Sequence, residues 1–157
     1  MTDFDIIVIG AGHAGCEAAR AAARIGQTVG LCVLDESSVA HMPCNPAIGG
    51  TAKGHLVREI DALGGLMGEA IDATGIQFKL LNRSRGPAVW SPRAQADKHR
   101  YSNWVRDALK REKGISWIRG RVDSVLVKDN KVNGVSLATG ACYYCKALVV
   151  TTGTFLN

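Results

Sequence analysis

Phe4-Asp5-Ile6-Ile7-Val8-Ile9, then Gly10-Ala11-Gly12-His13-Ala14-Gly15, then the alanine-rich stretch from Cys16 to Ile25, reads as strand, glycine turn and helix. The apolar run with β-branched residues has the composition of a buried parallel strand. The spacing that follows is G-x-G-x-x-G, set between a strand and a helix as a dinucleotide-binding turn requires. Gly10 permits a tight turn, Gly12 lets backbone approach a pyrophosphate, and Gly15 lets the helix pack close to the strand. Phosphates would then sit against the amides of Gly10 to Gly15, Ala11, His13 and Ala14 included, at the positive end of the helix.

Outward from that turn, the helix is expected over 14–25, ended by Gly26, with a second strand over 28–34. Two strands flanking a helix at this spacing make a right-handed βαβ unit. An acid that bonds the ribose hydroxyls often closes such a second strand, about 20 residues past the glycines. Val33 occupies the expected position, and Asp35 and Glu36 are the nearest acids. Either one of these holds the ribose, slightly displaced, or backbone groups do.

Residues 40–112 form a long insertion. Pro43-Cys44-Asn45-Pro46 is turn-rich, and a helix follows whose expected buried stripe is Leu56, Ile60, Leu63 and Met67, interrupted at Gly64-Gly65. Ile76–Leu81 alternates like a short strand. Ser91-Pro92 has the form of an N-cap followed by proline at the first helical position, so a helix is expected from there to about residue 113. A strand over 115–119 leads into an antiparallel meander with strands over 121–128, 131–138 and 141–146, and a separate buried strand over 147–152 ends at Gly153.

The chain has 157 residues and a net charge of +5, and its apolar fraction of 46% is ample for one sizeable core. Residues 79–113 hold ten Lys/Arg against three acids, so this segment carries all the excess positive charge. It is either a solvated helix face or a surface turned to the phosphates of a cofactor or nucleic acid. Lys53, Arg83, Arg85, Arg93, Lys98 and Arg100 are the candidate phosphate contacts. The five scattered cysteines do not form a secreted disulfide framework. Cys142 and Cys145 fall on opposite faces of a strand, and no metal site is expected. No stretch has the form of a membrane span or a signal peptide, which points to the cytoplasm, or to an organelle after removal of a leader.

Five blocks resemble the MnmG (GidA) flavoprotein family: Gly10 to Ala19, PCNPAIGGTAKGHLVR over 43–58, EIDALGG over 59–65, RGPAVWSPRAQADK over 85–98, and the terminal TTGTFLN. They run through nearly the whole chain in the family's order. The resemblance implies an α/β, Rossmann-like FAD-binding domain over residues 1–157. It would have a central parallel sheet, a long helical insertion (40–112) and a small antiparallel β-meander (121–146). It further implies an enzyme that binds FAD and uses NADH, with methylene-tetrahydrofolate as one-carbon donor. Such an enzyme installs an aminomethyl or carboxymethylaminomethyl group at C5 of the tRNA wobble uridine, together with an MnmE-type GTPase partner. Family members are several-fold longer, so the chain is expected to be an N-terminal fragment that binds FAD poorly alone, the NADH site lying elsewhere and the whole protein being a homodimer.

By the same resemblance Asn45, Gly49 and Gly50 lie near the flavin, and Val122 contacts the adenine. Thr152 and Gly153 end the last strand at the carboxyl edge of the sheet, where ligands gather. Cys44 is the candidate catalytic residue. A thiolate adding to C6 of uridine makes C5 nucleophilic, and a turn just before a helix start lowers a thiol pKa. The alternative route carries the one-carbon unit on reduced flavin, with Cys44 as a nearby acid/base or an inert thiol. Two rival classes stay open: another FAD-dependent oxidoreductase of this layout, and a non-catalytic nucleotide- or RNA-binding module.

Overall fold

The computed structural model of the chain describes residues 3–42 and 45–153. In chain order the elements are β1 (Phe4–Ile9), α1 (His13–Arg24), β2 (Val29–Val33), β3 (Ala47–Gly49), α2 (Lys53–Ala62), α3 (Leu66–Thr74) and β4 (Gly75–Leu81). β5 (Ser91–Ala96), α4 (Lys98–Arg111), β6 (Ile115–Arg119), β7 (Val122–Lys128), β8 (Lys131–Leu137) and β9 (Cys142–Val150) follow. Contacts divide the chain into two units, residues 1–40 with 106–157, and residues 41–105.

The first unit is built on a six-stranded sheet of order β6-β2-β1-β9-β8-β7. β1 lies parallel to β2 on one side and to β9 on the other, and β2 lies parallel to β6. The buried side chains of β1 and β2 explain the apolar runs that mark them, since a parallel strand in mid-sheet is covered on both faces. α1 packs small residues, Gly15, Ala19, Ala22 and Ala23, against the structure and ends where Gly26 takes a positive φ of 86°. Ile7, Ile9, Cys32, Ile118, Val135, Leu137 and Cys145 form one apolar cluster that joins the parallel strands to the meander.

The meander differs from its expected form in one respect. The stretches 141–146 and 147–152 are not two strands. β9 runs unbroken and changes neighbours, pairing antiparallel with β8 through Tyr144 and parallel with β1 from Cys145 onward. Asp129 and Asn130, at φ 50° and 61°, make the β7–β8 turn. Cys142 is exposed and Cys145 is buried, as opposite faces of a strand demand.

One ion pair ties the outer end of β1 to β9. Asp5 accepts from Lys146 Nζ (2.6 Å), and also from the Thr28 amide (2.9 Å) and hydroxyl (2.7 Å). The Lys146 bond first, then the Thr28 bonds, hold the carboxyl well below the ordinary range of 3.8. A folded-state pKa held down contributes stability above the unfolded value that is lost as pH falls through the folded one. Asp5→Asn is therefore expected to lower the denaturant midpoint at pH 7. The gap from wild type should narrow steadily as the pH is taken below about 4, a trend that parallel urea titrations would read.

The second unit holds the three-stranded antiparallel sheet β3-β5-β4 with α2 and α3. The helix expected from Ser91-Pro92 is instead a strand. β5 is the central strand, paired on both sides, and its buried positions are the small residues Ser91, Ala94 and Ala96. The true helix start is six residues on, where the Asp97 carboxylate accepts from the amides of His99 (3.0 Å) and Arg100 (2.9 Å). The expected stripe of Leu56, Ile60, Leu63 and Met67 is also not the buried one. Leu56 is 59% and Leu63 is 90% exposed, while Val57, Leu66, Ala70 and Ile71 are inside. Gly64, at φ 83°, does break the run into two helices.

Candidate functional site

The strand, glycine turn and helix sit at the carboxyl end of the parallel strands. Gly10 has φ 96°, a region that disfavours any side chain, and a Cβ there would stand 2.6 Å from the Thr151 carbonyl. At Gly15 a Cβ would run into the Gly10 carbonyl and the Thr151 hydroxyl. Gly12 is different: its φ is −68° and a Cβ would meet nothing within 4 Å. So two glycines are demanded by packing, and the third leaves open space over the turn.

Gly12 caps α1 without a side-chain bond, and the first helical bond runs from the Cys16 amide to the Gly12 carbonyl (2.9 Å). The amides of Ala14 and Gly15 precede that bond and have no intrahelical acceptor. No acidic residue stands in the first turn, and the helix dipole adds positive potential there. This is the electrostatic form of an anion cradle. The turn is braced by Thr151, whose hydroxyl donates to the carbonyls of Ile9 (2.8 Å) and Gly10 (3.2 Å).

Beside the turn lies a crevice of about 590 Å³. Gly10, Ala11 and Gly12 form one wall, Val33, Leu34 and Ser38 another, and Gly120 to Asp123 with Thr152 close it. Val122 and Thr152 thus share one cavity with the glycine turn. Gly153 follows Thr152 directly and has φ 72°. His13 and Ala14 form the first turn of α1.

Neither acid after β2 lines the crevice. The Asp35 carboxylate takes the Ser37 amide (3.0 Å) and hydroxyl, which keeps it ionised below its usual range. Glu36 is held by Lys110 Nζ (2.6 Å) and Arg119, Lys110 being the larger cause of its lowered pKa. Val33, whose carbonyl accepts from the Gly120 amide (2.9 Å), Leu34 and Ser38 occupy that wall instead. Sequence reasoning named Val122 but missed Ser38, Thr151, Gly120, Arg121 and Asp123. A serine two or three residues past Asp35 was a legible turn signal, but only the tertiary fold brings residues 120–123 opposite residue 10.

Asn45, Gly49 and Gly50 belong to the 41–105 unit. Asn45 is exposed and its carbonyl accepts from the Ala47 amide (2.7 Å). Gly49, at φ 121°, is pressed against Pro92 and Arg93 of β5, and Gly50 donates to the Pro92 carbonyl (2.8 Å). This unit has its own cavity of about 470 Å³, lined by Gly49, Val57, Phe78 and Leu80 with Arg58 and Arg93 among its charged groups. The Lys53 ammonium donates to the Ala47 carbonyl (2.9 Å), and loss of solvent there lowers its pKa. Arg83 and Arg85 are exposed.

Cys44, the candidate catalytic thiol, lies outside the described residues. Burial pushes the Cys16 thiol up to about 12 and the Cys32 thiol up to about 11, so both are core groups rather than nucleophiles. Among the described residues no group of three or more His, Cys, Asp or Glu could hold a metal ion. No described helix is long and apolar enough to cross a membrane.

A parallel sheet with a braced glycine turn, an open position over it and a crevice at the strand ends defines a nucleotide-binding α/β protein of the Rossmann class. The chain belongs to the glucose inhibited division protein A (GidA) family, whose model matches residues 5–157. It is 54% identical over 155 residues (99% of the chain) to the tRNA uridine 5-carboxymethylaminomethyl modification enzyme MnmG of Caldicellulosiruptor saccharolyticus. It is 55% identical over 157 residues (100% of the chain) to the enzyme of that name from Aquifex aeolicus. The chain spans 25% of the length of each of these relatives. The crystal structure of Aquifex aeolicus GidA superposes with a TM-score of 0.95 at 55% identity, covering 98% of this chain and 26% of that one.

Proposed function

We propose that this chain supplies the FAD-binding part of a tRNA-modifying enzyme acting on C5 of the wobble uridine. The observation that carries the reading is the open position over Gly12 in an otherwise packed, amide-rich turn, in a chain of the GidA family. FAD fits these residues. Its pyrophosphate would lie over Gly12 against the Ala14 and Gly15 amides, and its adenosine end would enter the crevice past Val122, with Val33, Leu34 and Ser38 around the ribose. When bound, the flavin supplies redox chemistry, with NADH as reductant and methylene-tetrahydrofolate as the one-carbon donor. The residues of this chain bind and orient it: Thr151 fixes the turn, and the paired parallel strands β1, β2 and β9 support it.

The reading extends to an MnmE-type GTPase partner, a homodimeric whole protein and a cytoplasmic location. The names carried by the relatives support the tRNA substrate alone; the partner, the dimer and the location rest on the family resemblance. The test is reconstitution. Protein from the whole open reading frame, its GTPase partner, NADH, methylene-tetrahydrofolate and unmodified tRNA are combined, and the wobble nucleoside is read by mass spectrometry. An unchanged uridine in the presence of bound FAD refutes the reading.

Cys44 enters the same assay as a proposed participant. Cys44→Ser is expected to retain FAD and to lower the modification rate by about 100-fold or more, the scale of losing a nucleophile or a proton-transfer group. Wild-type turnover in that variant removes Cys44 from the chemistry.

A further inference from the structure

Between β4 and β5, residues 82–90 form a loop that is hydrogen-bonded to itself. Asn82, in the left-handed region at φ 61°, donates from its side-chain amide to the Val89 carbonyl (3.2 Å). The Arg85 amide donates to Asn82 (2.9 Å), and the Trp90 amide donates to Pro87 (3.2 Å). The Trp90 indole N–H donates to the Arg83 carbonyl (3.3 Å). The pair Leu81 and Ser91 closes the base of the loop. The loop's shape is therefore set from within, and the indole is pinned along its N–H edge.

What this loop presents is unusual for a protein surface. Trp90 is 41% exposed and Val89 37% exposed. Arg83 and Arg85 are exposed beside them, and neither guanidinium is in a salt bridge among the described residues. Between Asp72 and Asp97 the sequence has Lys79, Arg83, Arg85 and Arg93 and no carboxylate. A held aromatic face flanked by unpaired cations matches one ligand chemistry closely: an unpaired base with its neighbouring phosphates. A duplex would offer phosphates but no free base face, and an apolar peptide would leave the arginines without partners.

We propose that the 82–90 loop is a docking surface for unpaired RNA nucleotides, with Trp90 stacking a base and Arg83 and Arg85 holding the flanking phosphates. The proposal rests on the tRNA reading above for the identity of the RNA. It adds the place on this chain where single-stranded nucleotides of that RNA are gripped.

The test uses protein from the whole open reading frame with FAD bound, and a fluorescent anticodon stem-loop of unmodified tRNA titrated at several salt concentrations. Trp90→Ala is expected to weaken binding roughly tenfold with an unchanged salt slope, and Trp90→Phe to restore most of it. The double variant Arg83→Glu, Arg85→Glu is expected to weaken binding more, and to shallow the plot of log affinity against log salt by about 1.4, the value for two phosphate contacts on a single strand. Flavin content and NADH-driven flavin reduction without RNA should match wild type in every variant, which separates docking from misfolding. Wild-type RNA affinity in both the Trp90→Ala and the arginine variants overturns the proposal while leaving the tRNA reading intact. So does RNA binding that is unchanged while an acidic protein partner is lost. A wild-type protein that binds no RNA at all overturns both.

Discussion

Gly12→Val is expected to leave the fold standing and to abolish flavin binding. The backbone at Gly12, φ −68° and ψ −178°, is open to any residue, and a Cβ there meets no atom within 4 Å. Stability should fall by only about 1 kcal/mol, the cost of a poorer N-cap on α1, because the side chain itself meets no obstacle. The valine side chain would nevertheless fill the position over the helix amides where a pyrophosphate must approach. Affinity for FAD should fall by at least about 100-fold, or roughly 2.7 kcal/mol. The check is the flavin absorbance of the purified whole protein beside its circular dichroism spectrum. A yellow, normally folded variant would show that the turn is a packing device and not a phosphate cradle.

Gly15→Ala is expected to do the reverse, acting on the fold first. Its Cβ would collide with the Gly10 carbonyl carbon at 2.9 Å, as well as with the carbonyl oxygen and the Thr151 hydroxyl. All of these belong to backbone or to a braced side chain, so relief requires α1 to move away from β1. A single added methyl group of this kind costs about 2–4 kcal/mol, and in a chain of this length roughly 5–15 °C in melting temperature. Parallel denaturation of wild type and variant reads the loss. An unshifted midpoint would mean that the close approach of helix and strand is not as tight as the geometry requires. The two neighbouring glycines thus make separable predictions, one for ligand and one for stability.

The first 35 residues were legible because their signals are local. An apolar run, three glycines at fixed offsets and an alanine-rich helix need no distant partner to be recognised, and β1, α1 and β2 fall where those signals place them. The misreadings share an opposite cause. Ser91-Pro92 is a sound helix start by itself, yet β3 and β4 pair with both edges of that segment and draw it into a sheet. Leu56 and Leu63 keep helical spacing ahead of the glycine break, yet both face solvent while Val57 is the buried apolar side chain of α2. β9 changes from polar to apolar near residue 146, and composition alone divides it there. The division is instead a change of neighbour within one continuous strand. At the site, the glycine turn, Val122 and Thr152 were readable, the last two through family resemblance and strand ends. Arg121, Asp123 and Ser38 became visible only when the chain closed around the crevice.

That closure has a consequence for the order of events on the ribosome. The glycine turn begins at Gly10, but its brace is Thr151, 141 residues later. At a synthesis rate of 5–20 residues per second, the N-terminal strand waits about 7 to 28 s for its parallel neighbour to emerge. Through that interval one edge of β1 is unsatisfied and sticky, a natural client for a chaperone. A coenzyme could settle on the braced turn only after Thr151 has been made, so it cannot be the seed around which β1 and β2 first condense.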